Sequence, residues 1–174
     1  MTRYIFIIVI LILFFLFNDI IAMMNKYNAS YFEYGNTTIL KFFNIDINGG
    51  LFHVDNTNTQ IDGAFINIPP GSVDIKAKIF IGIINGNLFL ISGKKSGVSL
   101  VFGSDVITNF KNRVAITLNY DPKINPKWII GYEIDEKGRL HVIDTAGIDR
   151  IGKTVSFITY KPLILTWVYI SNES

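Results

Sequence analysis

The chain has 174 residues, of which 16 are basic and 14 acidic, for a net charge of +2, and it contains no cysteine. The missing cysteines exclude a disulfide framework and thiolate chemistry. The balanced charge, with Lys94-Lys95 as its densest basic spot, leaves no footprint for nucleic acid.

The first apolar run opens at Tyr4 and closes at Phe17; Asn18 and Asp19 break it, and residues 20–24 resume it as far as Met24. Residues 4–24 number 21, and at roughly 1.5 Å per residue such a helix reaches about 30 Å, one hydrocarbon core. Three readings follow: a retained anchor, a cleaved signal peptide, or a helix buried in a core. Cleavage wants small residues at the last and third-last positions of the signal. A cut after Ala22 puts Ile20 at the outer position, and a cut after Ala29 puts Tyr27 there. The sequence therefore favours an uncleaved transmembrane anchor over residues 1–24. Asp19 would cost about 2.5–3.5 kcal/mol at a helix centre, but near the end of the span it reaches headgroups. Arg3 and the free amine precede the span while Asp19, Lys26 and Glu33 follow it. That excess favours a cytoplasmic N-terminus, with a single-pass chain and its ectodomain outside.

Residues 25–36 mix polar and aromatic side chains and read as a stalk; a β-rich ectodomain over 37–174 follows. Roughly 140 residues suit one single-core domain. Residues 37–47 are β-rich and end at the Gly49-Gly50 turn before a short strand over 51–54. After a polar loop at 55–60, an alternating run over 60–68 stops at Pro69-Pro70-Gly71. The clearest alternation is 72–80, with Val73, Ile75, Ala77 and Ile79 on one face and Asp74, Lys76 and Lys78 on the other. Asn85-Gly86 predicts a hairpin joining 80–84 to 88–91, and a loop at 93–97 leads to a strand over 98–102. In 113–120, Val114, Ile116, Leu118 and Tyr120 point inward, Thr117 and Asn119 outward. Pro122 and Pro126 bar a strand over 121–127. Strands follow over 128–134 and 140–143, then 155–160 and 163–170 separated by Lys161-Pro162. About ten short strands at regular spacing, without a helical period, predict an all-β fold: a single antiparallel β-sandwich or jelly-roll-like ectodomain behind the anchor.

Residues 147–154, Gly-Ile-Asp-Arg-Ile-Gly-Lys-Thr, match the phosphate-loop pattern at every position from Gly147 to Thr154, and they follow a predicted strand. A phosphate loop must open a helix whose N-terminal amides hold the anion. Here residues 155–162 are β-branched and aromatic and end in proline, so a glycine-rich β-turn without nucleotide is expected. Asp144-Thr145-Ala146-Gly147 is similar to the magnesium-side loop of small GTPases, but it runs into the phosphate pattern instead of lying well after it. As an aspartic-protease half it would need a second copy. His53 and His141 are the only histidines and have no metal-ligand spacing. No Gly-x-Ser-x-Gly elbow marks a nucleophile. No catalytic residue, metal or cofactor is therefore assigned. Trp128 and Trp167 are candidate aromatic contacts, which leaves open a secreted or surface carbohydrate-binding domain. A filament subunit completing a neighbour's sheet is a further reading. Asn28, Asn36 and Asn172 head glycosylation acceptor patterns.

The chain resembles the 19-kilodalton per os infectivity factor family of baculoviruses and related insect viruses (the fourth such factor, in the envelope of occlusion-derived virus). The resemblance rests on chain size, on an N-terminal anchor followed by Lys26, and on residues 61–69 (Ile-Asp-Gly-Ala-Phe-Ile-Asn-Ile-Pro) and 102–110 (Phe-Gly-Ser-Asp-Val-Ile-Thr-Asn-Phe). It implies a noncatalytic virion envelope protein in a multi-protein complex needed for oral infection of insect midgut cells. Passage through host nuclear or endoplasmic reticulum membranes is implied as well.

Overall fold

The computed structural model describes residues 36–85, 95–96, 99–123, 126–135 and 139–171. The predicted anchor with Tyr4, Phe17 and Met24, residues 25–35 of the stalk with Asn28, Asn172 and the strand over 88–91 lie outside the described residues, while Asn36, the last residue of the predicted stalk, opens a strand.

Twelve strands occupy the described residues, with no helix among them: β1 (Asn36–Ile45), β2 (Gly50–Val54), β3 (Ala64–Ile68), β4 (Ala77–Asn85), β5 (Lys95–Ser96), β6 (Leu100–Ser104), β7 (Val114–Asn119), β8 (Pro126–Ile134), β9 (Leu140–Ile143), β10 (Thr145–Asp149), β11 (Thr154–Thr159) and β12 (Leu163–Ser171). They form two sheets. A seven-stranded sheet runs β1-β4-β6-β12-β8-β9, with β5 also paired to β12, and a five-stranded sheet runs β10-β11-β7-β3-β2. Every ladder is antiparallel.

Alternation builds the five-stranded sheet. Val114, Ile116 and Leu118 of β7 and Val155 and Phe157 of β11 enter the core, while Ala115, Asn119 and Ser156 turn the other way. On that outer side the Thr117 and Ser156 hydroxyls hydrogen-bond across the strands at 2.8 Å. From the seven-stranded sheet, Ile79, Ile81, Leu100, Phe102, Leu165 and Trp167 meet them in the same core. Phe102 also stacks on Phe110, centroids 5.7 Å apart. At both flanks the chain passes from the edge of one sheet to the edge of the other, from β1 to β2 and from β9 to β10. The first passage turns at Gly49, whose positive φ of 64° suits glycine and whose N–H donates to the Asp46 carbonyl at 3.0 Å. A β-carbon there would also strike the carbonyl of Ile68.

Several expectations need correction. The strand predicted over 72–80 begins only at Ala77; Val73 is buried, but Ile75 is 54% exposed. Residues 69–76 carry the chain from β3 in one sheet to β4 in the other. Ser72 N–H closes a turn on the Pro69 carbonyl at 3.2 Å, so the crossing sets the direction of these side chains and period two does not. Residues 60–63 are turn, and β3 starts at Ala64. β8 opens on Pro126, since a first position tolerates a residue that cannot donate. β4 is flanked by β1 and β6 across Phe80, Ile81 and Ile83, so no edge of it is open there for the predicted hairpin.

A candidate contact face on the seven-stranded sheet

The central strands of the seven-stranded sheet are apolar without alternation. In β12, Thr166 is the one polar residue between Leu163 and Ile170, and β4 contributes Ile79-Phe80-Ile81-Gly82-Ile83-Ile84. Alternate residues in a strand point to opposite faces. Ile79, Ile81, Leu100, Phe102, Leu165 and Trp167 belong to the core between the sheets. Their neighbours Phe80, Ile84, Val101, Ile164 and Val168 therefore face away from it, yet all five are buried and none is a core member.

Register assembles these residues into rows. Phe42 of β1 stands opposite Phe80, which stands opposite Gly103. Gly82, Val101, Ile164, Ile134 and Leu140 make the next row, and Thr166, Tyr132 and Val142 another. The Phe80 ring lies over Gly103, where any β-carbon would collide with it. Val101 is wholly inaccessible to solvent. The rim is open: Phe42 is exposed beside Phe80, centroids 6.1 Å apart, with the Lys78 ammonium 5.8 Å above its ring. On the opposite flank Trp128 is 58% exposed and Val142 is 71% exposed. The centre of this face is therefore buried, and the apolar side chains available for contact are those at its margins.

The two tryptophans thus part company. Trp128 lies on this rim; Trp167 is 4% exposed, faces the core beside Tyr169 with centroids 5.9 Å apart, and its Nε1 has no hydrogen-bond acceptor among the described residues. Asn36 is the first residue of β1, in register with Asn85. His53 lies exposed on β2 with its ring 5.9 Å from that of Phe65. His141, on β9 in the other sheet, sits 2.9 Å from Asp135 Oδ2, which also accepts from Arg139 Nε at 2.7 Å. Among the described residues no group of three His, Asp or Glu side chains could hold a metal.

The stretch that matches the phosphate pattern is a hairpin: Gly147 to Asp149 end β10, residues 150–153 turn, and Thr154 opens β11. Asp149 Oδ1 accepts from the amides of Ile151 and Gly152, both at 2.9 Å. Those amides, which an anion would need, are already held by a carboxylate. Lys153 adopts φ of 55°, and its ammonium lies 5.9 Å from the Tyr120 ring. Tyr120 is buried beside this hairpin and donates to the Asp149 carbonyl at 3.3 Å. Burial pushes its phenol above the ordinary value of 10.0, with the Arg150 charge opposing in part.

Sequence reading missed the second apolar layer and its Phe42 and Val142 margins. The signal was present, because strands that stay apolar through both parities have both faces covered. No family model matches the chain, and no curated protein matches it.

Proposed function

We propose that this is a membrane-anchored, noncatalytic envelope protein, a subunit of a multi-protein complex with which an insect virus infects midgut cells after ingestion. This is the role implied by the per os infectivity factors it resembles. In this reading residues 1–24 hold the chain in a lipid membrane as a single pass, in the virion envelope and in host nuclear or endoplasmic reticulum membranes during assembly. The two sheets form a β-sandwich with jelly-roll-like character outside the membrane. Other envelope proteins are its partners; nucleic acid and nucleotide are not. The observation that carries the reading is the exposed apolar rim of Trp128, Val142 and Phe42 around the dry face of the seven-stranded sheet.

Affinity purification of the tagged full chain from virus envelopes in mild detergent tests it. The expected result is co-recovery of other envelope proteins by wild type and their loss with Trp128→Ala and Val142→Asp. Recovery of the wild-type chain alone would overturn the reading. The exposure of Trp128 also favours a second reading, in which its indole face stacks on a sugar. A glycan array separates the two, since a hit abolished by Trp128→Ala supports the sugar and a blank array removes it.

A further inference from the structure

We propose that β10 is a self-pairing edge: two copies of the chain join β10 to β10, antiparallel about Gly147, to make one sheet across two protomers. β10 ends its sheet, and among the described residues only β11 pairs with it. Its outward N–H and C=O groups therefore have no ladder partner, which is the feature that templates strand addition. Thr145, Ala146, Gly147 and Asp149 are all exposed, and a β-carbon on Gly147 would meet nothing within 4 Å. Small residues at the centre let a second backbone approach closely.

The residues around that centre are self-complementary. Antiparallel pairing about Gly147 sets Ala146 against the partner's Ile148 and Thr145 against the partner's Asp149. Just past the two ends of the strand, it also brings Asp144 near the partner's Arg150, the first residue of the hairpin turn. Asp144 and Arg150 are exposed, and neither has an ion-pair partner among the described residues. Opposite charges and apolar pairs directly across strands stabilise a ladder, and like charges destabilise it. Shortening the register by one residue would bring Asp144 against the partner's Asp149, a like-charge pair that disfavours that slip. A bulge between Thr145 and Gly147 interrupts the ladder to β11. Bulges often guard edges, but the stronger guards, a lysine or proline within the strand, are missing from β10. The long edge strand β1 carries both a bulge and Lys41.

Light scattering on the purified full chain in detergent reads the assembly directly. Wild type is expected to hold two chains per particle, and Asp144→Arg and Arg150→Asp one each, with melting temperatures unchanged. The double variant, which restores opposite charges, is expected to return to two. One chain per particle for wild type, two for either single variant, or one for the double variant would each overturn the proposal. A covalent check exploits the absence of cysteine: Gly147→Cys adds the sole thiol at the point where a residue faces its own copy. Directly opposed residues, about 4.5–5.5 Å apart at Cα, suit a disulfide. Mild oxidation is expected to link Gly147→Cys into dimers and to leave Lys123→Cys unlinked; equal linkage of the two would count against pairing at β10.

Discussion

In the five-stranded sheet, β11 alternates half-buried and buried residues from Thr154 to Thr159, and β3 keeps Ala64, Ile66 and Ile68 buried with Asn67 exposed between them. In the seven-stranded sheet, β12 is buried at every residue from Leu163 to Val168, and β6 from Leu100 to Gly103. Both sheets serve one core, so the contrast lies on their outer faces. One is a wettable mixture of Ser156, Asn67, His53 and Asn119; the other is Phe80, Val101, Ile164 and Val168. A sheet with one wet face needs only period two, whereas a sheet covered on both faces loses alternation altogether. At about 25 cal/mol per Å² of apolar area, leaving such a face in water is costly enough that it must be covered. In the seven-stranded sheet that face is buried at Phe80, Val101, Ile164 and Val168, and only its margins at Phe42, Trp128 and Val142 meet solvent.

The comparison breaks most sharply at matched outer positions. Val101→Asp places a carboxylate in the dry layer and is expected to cost about 5 kcal/mol or to abolish folding. Ala115→Asp, on the outer side of the other sheet, is expected to cost less than about 1 kcal/mol. Urea unfolding followed by circular dichroism compares the two, and equal costs would erase the distinction. On the shared inner side the sheets should behave alike: Phe102→Ala and Phe157→Ala are each expected to lose about 3–5 kcal/mol in the same assay. Gly103→Ala comes next, since its methyl must push the Phe80 ring aside, for an expected loss of about 1–3 kcal/mol.

The smallest effect is a pH dependence beside the five-stranded sheet. Burial raises the Tyr120 phenol in the folded state, so its contribution is fully present below the unfolded value of 10.0. It is lost as the pH rises through the folded value, because the unfolded chain ionises first. Urea midpoints above pH 10 should therefore fall more steeply for wild type than for Tyr120→Phe, and parallel slopes would contradict the assignment.

The alternating strands were legible in the sequence. Val114, Ile116, Leu118 and Tyr120 are inward as period two predicts, and the limits of β9 fall where the turn residues put them. Residues 73–75 were misread because a crossing between sheets shares its composition with a strand, and only the turn at Pro69 and Ser72 separates them. β10 read as part of a glycine-rich turn, since Ala146 and Gly147 give no strand signal and its pairing with β11 is tertiary. The tryptophans could not be told apart: each neighbours apolar residues, and parity against the register of β8 and β12 alone sends Trp167 inward and Trp128 outward.

Hydroxyl-radical footprinting of the intact protein, read by peptide mass spectrometry, tests the two-faced sheet most directly. Phe80 is expected to be labelled as little as the core residue Phe102, while Trp128, at the margin of the same face, is labelled strongly. Labelling of Phe80 at the level of Trp128 would contradict it.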